Sequence, residues 1–431
     1  MSTLLTPEQQ RSTMVKVSWR LLPLIVAAYL VAYIDRTNVS FAALTMNKDL
    51  GLNAYVYGWG AGIFFVSYAL FEVPSNMILQ RTSARLWIAR IMITWGIISG
   101  LMAATTGPAS FFVLRFLLGV AEAGFFPGII FYLTFWFPAE YRARAIATLY
   151  IAVPVSNAIA SVISGAILGM DGVLELRGWQ WIFIIEAIPA VLLAFVVLMY
   201  MTERPRNAEW LNPAQRDWLE RELEVERVMV EKAGRLSFMQ SLTDPRVLAL
   251  AMIYFTGVTA SYGIVFFLPQ IVKGLGLSNT ETGLVTAIPY TIGTIGLILW
   301  GYSSDRRKER RWHLIISTGL AAIGIAATGV FSHSFIAVAT ISLAAVGIYG
   351  SRPSFWPMPS LFLTGASAAA GMAFINSIGN VGGYVGPMIV GYIKESTKSF
   401  EMALYFLAAC ALVSTIIAIV AKRATSPRKL A

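Results

Sequence analysis

Six ionisable side chains stand inside apolar runs long enough to cross a bilayer. Asp35 and Arg36 lie side by side in AYIDRTNVSFA, directly after the apolar stretch RLLPLIVAAYLV. Glu72 lies in YALFEVPSN, Arg115 and Glu122 in FFVLRFLLGVAEAGFFPG, and Glu186 in WIFIIEAIPA. A charge at the centre of a spanning helix costs about 2.5–3.5 kcal/mol on insertion scales. Six of them require pairing, water or a use. Guanidinium grips a carboxylate through paired hydrogen bonds, so Arg36 and Arg115 converging on a wet cavity would anchor an organic anion. A carboxyl group held out of water takes up a proton more readily than one in water. Asp35 and Glu122 are therefore the candidate proton carriers.

Spacing constrains how these groups are presented. Consecutive residues on a helix project about 100° apart, so Asp35 and Arg36 cannot face the same way. Arg115 and Glu122 are two turns apart, about 10.5 Å along one continuous helix, and form two stations on one stripe. Glu72, beside Pro74, and Glu186 also suit a structural role between helices. Arg352, in YGSRPSFWPMPS, is a further base whose depth the sequence leaves open. The six charges all fall in the first half of the chain. The second half offers Asn, Ser, Tyr and Trp, which suits a division in which one bundle handles charge and the other shapes the cavity.

The elements that must carry these groups are helices. The chain has 431 residues, of which 57% are hydrophobic and 13% charged, against roughly 25% charged in soluble domains. Twelve apolar spans are expected at 19–42, 57–79, 87–106, 109–137, 143–169, 179–201, 247–272, 282–303, 312–331, 335–359, 366–393 and 400–421. Each must be helical, because a span in lipid has to satisfy its own backbone polar groups. A polar stretch at 202–246 separates an N-terminal six-helix bundle (1–201) from a C-terminal one (247–431). The fold expected is an all-α polytopic membrane protein of two pseudo-symmetric bundles. Basic residues fix its orientation: 25 Lys and Arg fall on the side of the termini and five on the other, so both termini are expected in the cytoplasm. The same asymmetry accounts for the net charge of +10 without a nucleic-acid partner. The single cysteine, Cys410, excludes a disulfide framework. No nucleophile–base pair, metal cluster or phosphate-cradling loop is visible, so neither an enzyme nor a cofactor is expected.

The halves resemble each other weakly. GYSSDRRKERR at Gly301–Arg311 faces NMILQRTSARL at Asn76–Leu86, with Arg81 and Arg85 in register. Gly301, Asp305 and Arg306 read as a gating latch at a helix end, where Asp305 would meet a neighbouring helix terminus and Arg306 an acidic partner. Two such halves suggest a transporter with its site at the midplane.

The stretches YIDRTNVSFA, GIFFVSYALFEVPSN, RFLLGVAEAGFFPG, GWQWIFIIEAIPA, GYSSDRR and FWPMPSLFLTGASAAAGMAFINSIGNVGGYVGP resemble the major facilitator superfamily, and within it the anion:cation symporter family. The resemblance covers essentially all twelve spans and implies a proton-driven importer of tartrate, another small carboxylate, a sugar acid or an aromatic acid. An organic anion antiporter is the rival. The resemblance implies proton-coupling roles for Asp35 and Glu122 and anion-handling roles for Arg36 and Arg115. It also places Tyr33, Tyr68, Trp356 and Asn376 in the substrate cavity. A monomer in the bacterial inner membrane is expected, with the anion, protons and lipid as its partners. One departure is that the segment-five amide of sugar-acid members has no clear match in IAVPVSNA, where Asn157 is the nearest candidate.

Overall fold

The computed structural model describes residues 5–232, 243–363 and 365–422, and the regular elements among them are helices. The first half contributes α1 (Pro7–Asp49), α2 (Ala54–Arg81), α3 (Ala84–Leu101), α4 (Pro108–Glu122), α5 (Phe125–Leu133), α6 (Ala139–Ile167) and α7 (Gly178–Tyr200). The polar stretch holds α8 (Pro213–Lys232). The second half contributes α9 (Pro245–Lys273), α10 (Asn279–Arg307), α11 (Arg311–Val330), α12 (Ile336–Phe355), α13 (Gly365–Thr397) and α14 (Glu401–Val420).

Local chemistry starts these helices where the sequence supplies a cap. Thr6 and Gln9 form a reciprocal capping box ahead of Pro7, and Ser278 and Glu281 do the same for α10. Asn53 and Ser83 accept from the Val56 and Leu86 amides. Eleven spans among the described residues are long and apolar enough to cross a membrane. The twelfth expected span, α13, is not one of those eleven. It is long enough, but Asn376, Asn380 and several glycines dilute its apolar content.

The expected single span at 109–137 is two helices. α4 ends at Glu122, Gly124 takes φ +86°, and α5 begins at Phe125. A side chain at position 124 would be strained by that backbone, and its Cβ would lie 2.3 Å from Ser75 Oγ.

Helix pairings repeat between the halves. α1 packs on α6 and α7, α2 on α4, and α3 on α7. In the second half α9 packs on α13 and α14, α10 on α12, and α11 on α14. The halves meet through α2 against α13 and α6 against α10, the same contact with its roles exchanged.

At the end of the bundle remote from the polar stretch the two halves are in contact. There Tyr57 Oη donates to the Phe266 carbonyl at 2.9 Å, and the Ala54 amide donates to Glu395 Oε2 at 3.1 Å. A Cβ on Gly165 of α6 would lie 2.7 Å from Gly283 Cα of α10, so the two backbones touch. At the other end the polar stretch docks on the first half. Glu203 accepts from Ser83 Oγ (2.6 Å) and the Ala84 amide (2.7 Å), and Arg142 pairs with Glu226 at 2.8 Å.

Candidate functional site

Helical periodicity builds a cavity between the halves. Tyr29, Tyr33, Arg36 and Thr37 line it from α1, at the spacing of one helix face. Tyr150, Val153 and Asn157 do so from α6, and Tyr254, Val258, Ser261, Tyr262 and Val265 from α9. Tyr349 and Arg352 come from α12, Trp356 from the turn just beyond it, and Asn376 and Asn380 from α13. Tyr68 of α2 and Phe126 of α5 complete the wall. Aromatic rings and amides dominate, and no Asp or Glu side chain lines the cavity among the described residues.

Five of the six expected substrate contacts, Arg36, Tyr33, Tyr68, Trp356 and Asn376, lie on this surface. The Arg36 guanidinium forms an ion pair with Glu122, the last residue of α4. Rings of Tyr33, Phe64 and Tyr68 surround it at 4.9, 5.2 and 5.3 Å. Glu122 is 1% exposed and stands behind Arg36 rather than on the cavity wall. Asp35 and Arg36 diverge as their adjacency requires. Asp35 turns into the first half and accepts from Trp95 Nε1 and Ser99 Oγ of α3, both at 2.8 Å.

Arg115 departs from expectation. It is fully buried and off the cavity surface. Its guanidinium donates to the Gly60 and Ala61 carbonyls of α2, at 3.3 and 3.0 Å. Arg115 and Glu122 stand two turns apart on the one helix α4, but α2 packs tightly enough on α4 to offer its backbone carbonyls to the Arg115 guanidinium.

The outlying acids are tied elsewhere. Glu72 Oε2 accepts from Asn380 of α13 at 3.3 Å, a contact between the halves. Glu186 accepts from Ser164 Oγ at 2.5 Å, and its other oxygen meets no hydrogen-bond criterion among the described residues. The latch region also differs from expectation. Asp305, in the last turn of α10, pairs with Arg310 of the short turn that follows at 2.5 Å. Glu309, not Asp305, meets the neighbouring helix terminus, accepting from the Trp312 and His313 amides at 2.7 and 3.2 Å. Arg306 is exposed, and Gly301 lies against Pro353 of α12.

Two cavity residues have a larger part than sequence reasoning gave them. Asn157 faces the cavity and bridges the halves, donating to Tyr349 Oη at 3.1 Å and accepting from Thr37 Oγ1 at 3.3 Å. Arg352 stands on the wall with its guanidinium 5.2 Å from the Tyr254 ring. Arg352 precedes Trp356 by four residues and so shares its face, a signal the sequence held while leaving the depth of Arg352 open. The Trp356 indole N–H is buried without a hydrogen-bond partner among the described residues.

The sequence model of the Major Facilitator Superfamily matches residues 25–387 and 250–431. A protein of Agrobacterium vitis named "Putative tartrate transporter" is 51% identical over 413 residues, spanning 96% of this chain and 95% of that protein. A "Quinolone resistance transporter" of Acinetobacter baumannii is 42% identical over 402 residues, spanning 93% of each chain. Among solved structures, an inward-facing, unoccupied bacterial homologue of the human lysosomal transporter Spinster superposes with a TM-score of 0.77 at 18% identity. That match covers 96% of this chain and 98% of the other. The xylose transporter XylE from E. coli, inward open, gives 0.77 at 14% identity over 96% and 97% of the two chains. At those identities the structural likeness concerns the fold alone.

Proposed function

The chain belongs to the major facilitator superfamily, and on that premise we propose that it is an anion:cation symporter importing a small organic carboxylate such as tartrate together with protons. In this reading residues 1–201 and 247–431 rock about the central cavity, and 202–246 tether them. The protein sits as a monomer in the bacterial inner membrane with both termini cytoplasmic.

One observation carries the reading. Arg36 faces an aromatic cavity free of carboxylates among the described residues, yet it is held by a carboxylate from behind. Substrate carboxylate and Glu122 compete for one guanidinium. While Glu122 is ionised it occupies Arg36. When Glu122 takes a proton, Arg36 is released to the cavity, and an anion bound there stabilises the protonated acid. Proton and anion therefore load together, which is what symport requires. Asp35, buried against Trp95 and Ser99, is a second proton carrier in the first half. Arg115 holds α2 to α4 in this scheme rather than touching substrate.

The rings that surround the cavity favour a second reading, import of an aromatic acid of the phthalate or hydroxyphenylacetate type. Purified protein in liposomes separates the two. Tartrate is expected to accumulate when the outside is made acid, and a protonophore is expected to abolish accumulation. Accumulation of phthalate but not tartrate would select the aromatic reading. Accumulation of neither would defeat both.

A further inference from the structure

Resting on the reading of the cavity as an organic-anion site, we propose that Arg352 is a second carboxylate anchor, so that the protein selects small dianions held between its two halves. One end of the substrate would sit on Arg36 of α1 and the other on Arg352 of α12.

Arg36 and Arg352 are the cationic side chains on the cavity wall, and no acid accompanies them on it among the described residues. Arg36 has Glu122 behind it. Arg352 forms no ion pair among the described residues, and its neighbour is the face of the Tyr254 ring. A guanidinium in a partly dry cavity without a counter-charge is unfavourable unless something else supplies one. With Glu122 ionised the three groups carry one net positive charge, and with Glu122 protonated they carry two. Among these three groups a monocarboxylate then leaves one cation uncompensated, whereas a dicarboxylate leaves none; Glu72, behind Asn380, stands off the cavity wall.

Geometry points the same way. Asn157 of α6 bonds both Thr37, next to Arg36, and Tyr349, one turn before Arg352. This bridge holds the two arginine-bearing helices in register across the cavity. The Trp356 indole N–H, without a hydrogen-bond partner among the described residues, lies one turn beyond Arg352 and adds a donor on the same face. Anchors on opposite halves also give a two-headed substrate a grip on both. Such a substrate would favour the state in which the halves close around it, which a one-headed acid cannot do as well.

The test uses the full chain purified in detergent, with tartrate and its monomethyl ester as probes, read by calorimetric titration under acid conditions. Wild type is expected to prefer tartrate by at least about tenfold. Arg352→Gln is expected to bring that preference to within about twofold, and Arg352→Lys to restore part of it as a point charge without the fork. Equal affinity of wild type for the two probes would overturn the proposal, as would a Gln variant that kept the preference. Should the Gln variant fail to fold, the wild-type pair still decides. Binding of neither probe by wild type would overturn the reading of the substrate as a small carboxylate of the tartrate type, and the clamp with it.

Discussion

Arg36 and Arg115 both press on the Phe64 ring, at 5.2 and 5.1 Å, yet their surroundings give them different work. Arg36 opens on the cavity and is held by a carboxylate that a proton can neutralise. Arg115 is enclosed and donates to backbone carbonyls whose acceptor strength no proton alters. Replacement by an apolar residue of similar length separates the roles. Arg36→Met is expected to weaken anion binding at least about tenfold. Arg115→Met is expected to leave affinity within about twofold while moving the unfolding midpoint. Equal losses of affinity, measured by titration, would return Arg115 to the binding site. The sequence showed which residues carry charge and that Asp35 and Arg36 must diverge, because both follow from composition and helical pitch. It did not show what Arg115 touches, because its partners are main-chain oxygens of α2, which no side-chain pattern announces.

At the scale of elements, the break after Glu122 is what sets that carboxylate at a helix end facing Arg36. Gly124 makes the break, with φ +86° and Ser75 pressed against the place a Cβ would occupy. Gly124→Ala is expected to destabilise the protein by about 1–3 kcal/mol. Thermal unfolding in detergent would show this as a lowered midpoint, and an unchanged midpoint would contradict it. The spans themselves were legible, since lipid leaves a long apolar run no other structure. The break was less so, because AEAGFFPG keeps its apolar content through the turn. A signal was nonetheless present. Pro127 lies in the first turn of α5, where its missing N–H is not needed, and a proline there marks a helix start. At the latch, the acids Asp305 and Glu309 are four residues apart, and only the fold shows that the second caps α11.

At the scale of the molecule, the exchanged contacts α2–α13 and α6–α10 hold the chain together, and the cavity lies between the halves they join. The weak repeat in the sequence foretold this arrangement, since an offset of similar segments implies two similar units. The contribution of the second half to the charge of the site was not foretold. Counting intramembrane charges placed them all in the first half, because the depth of Arg352 depends on where α12 ends, at Phe355, and on the turn that carries Trp356. In the proposed symport, coupling would be a property of this whole arrangement, since both halves would have to respond to whether proton and anion are loaded. The most direct measurement compares wild type with Glu122→Gln in liposomes, recording tartrate accumulation under an inward proton gradient beside exchange of labelled for unlabelled tartrate at equal pH. The account expects wild type to do both, and the variant to exchange without accumulating. A variant that accumulates tartrate against its gradient as wild type does would contradict it.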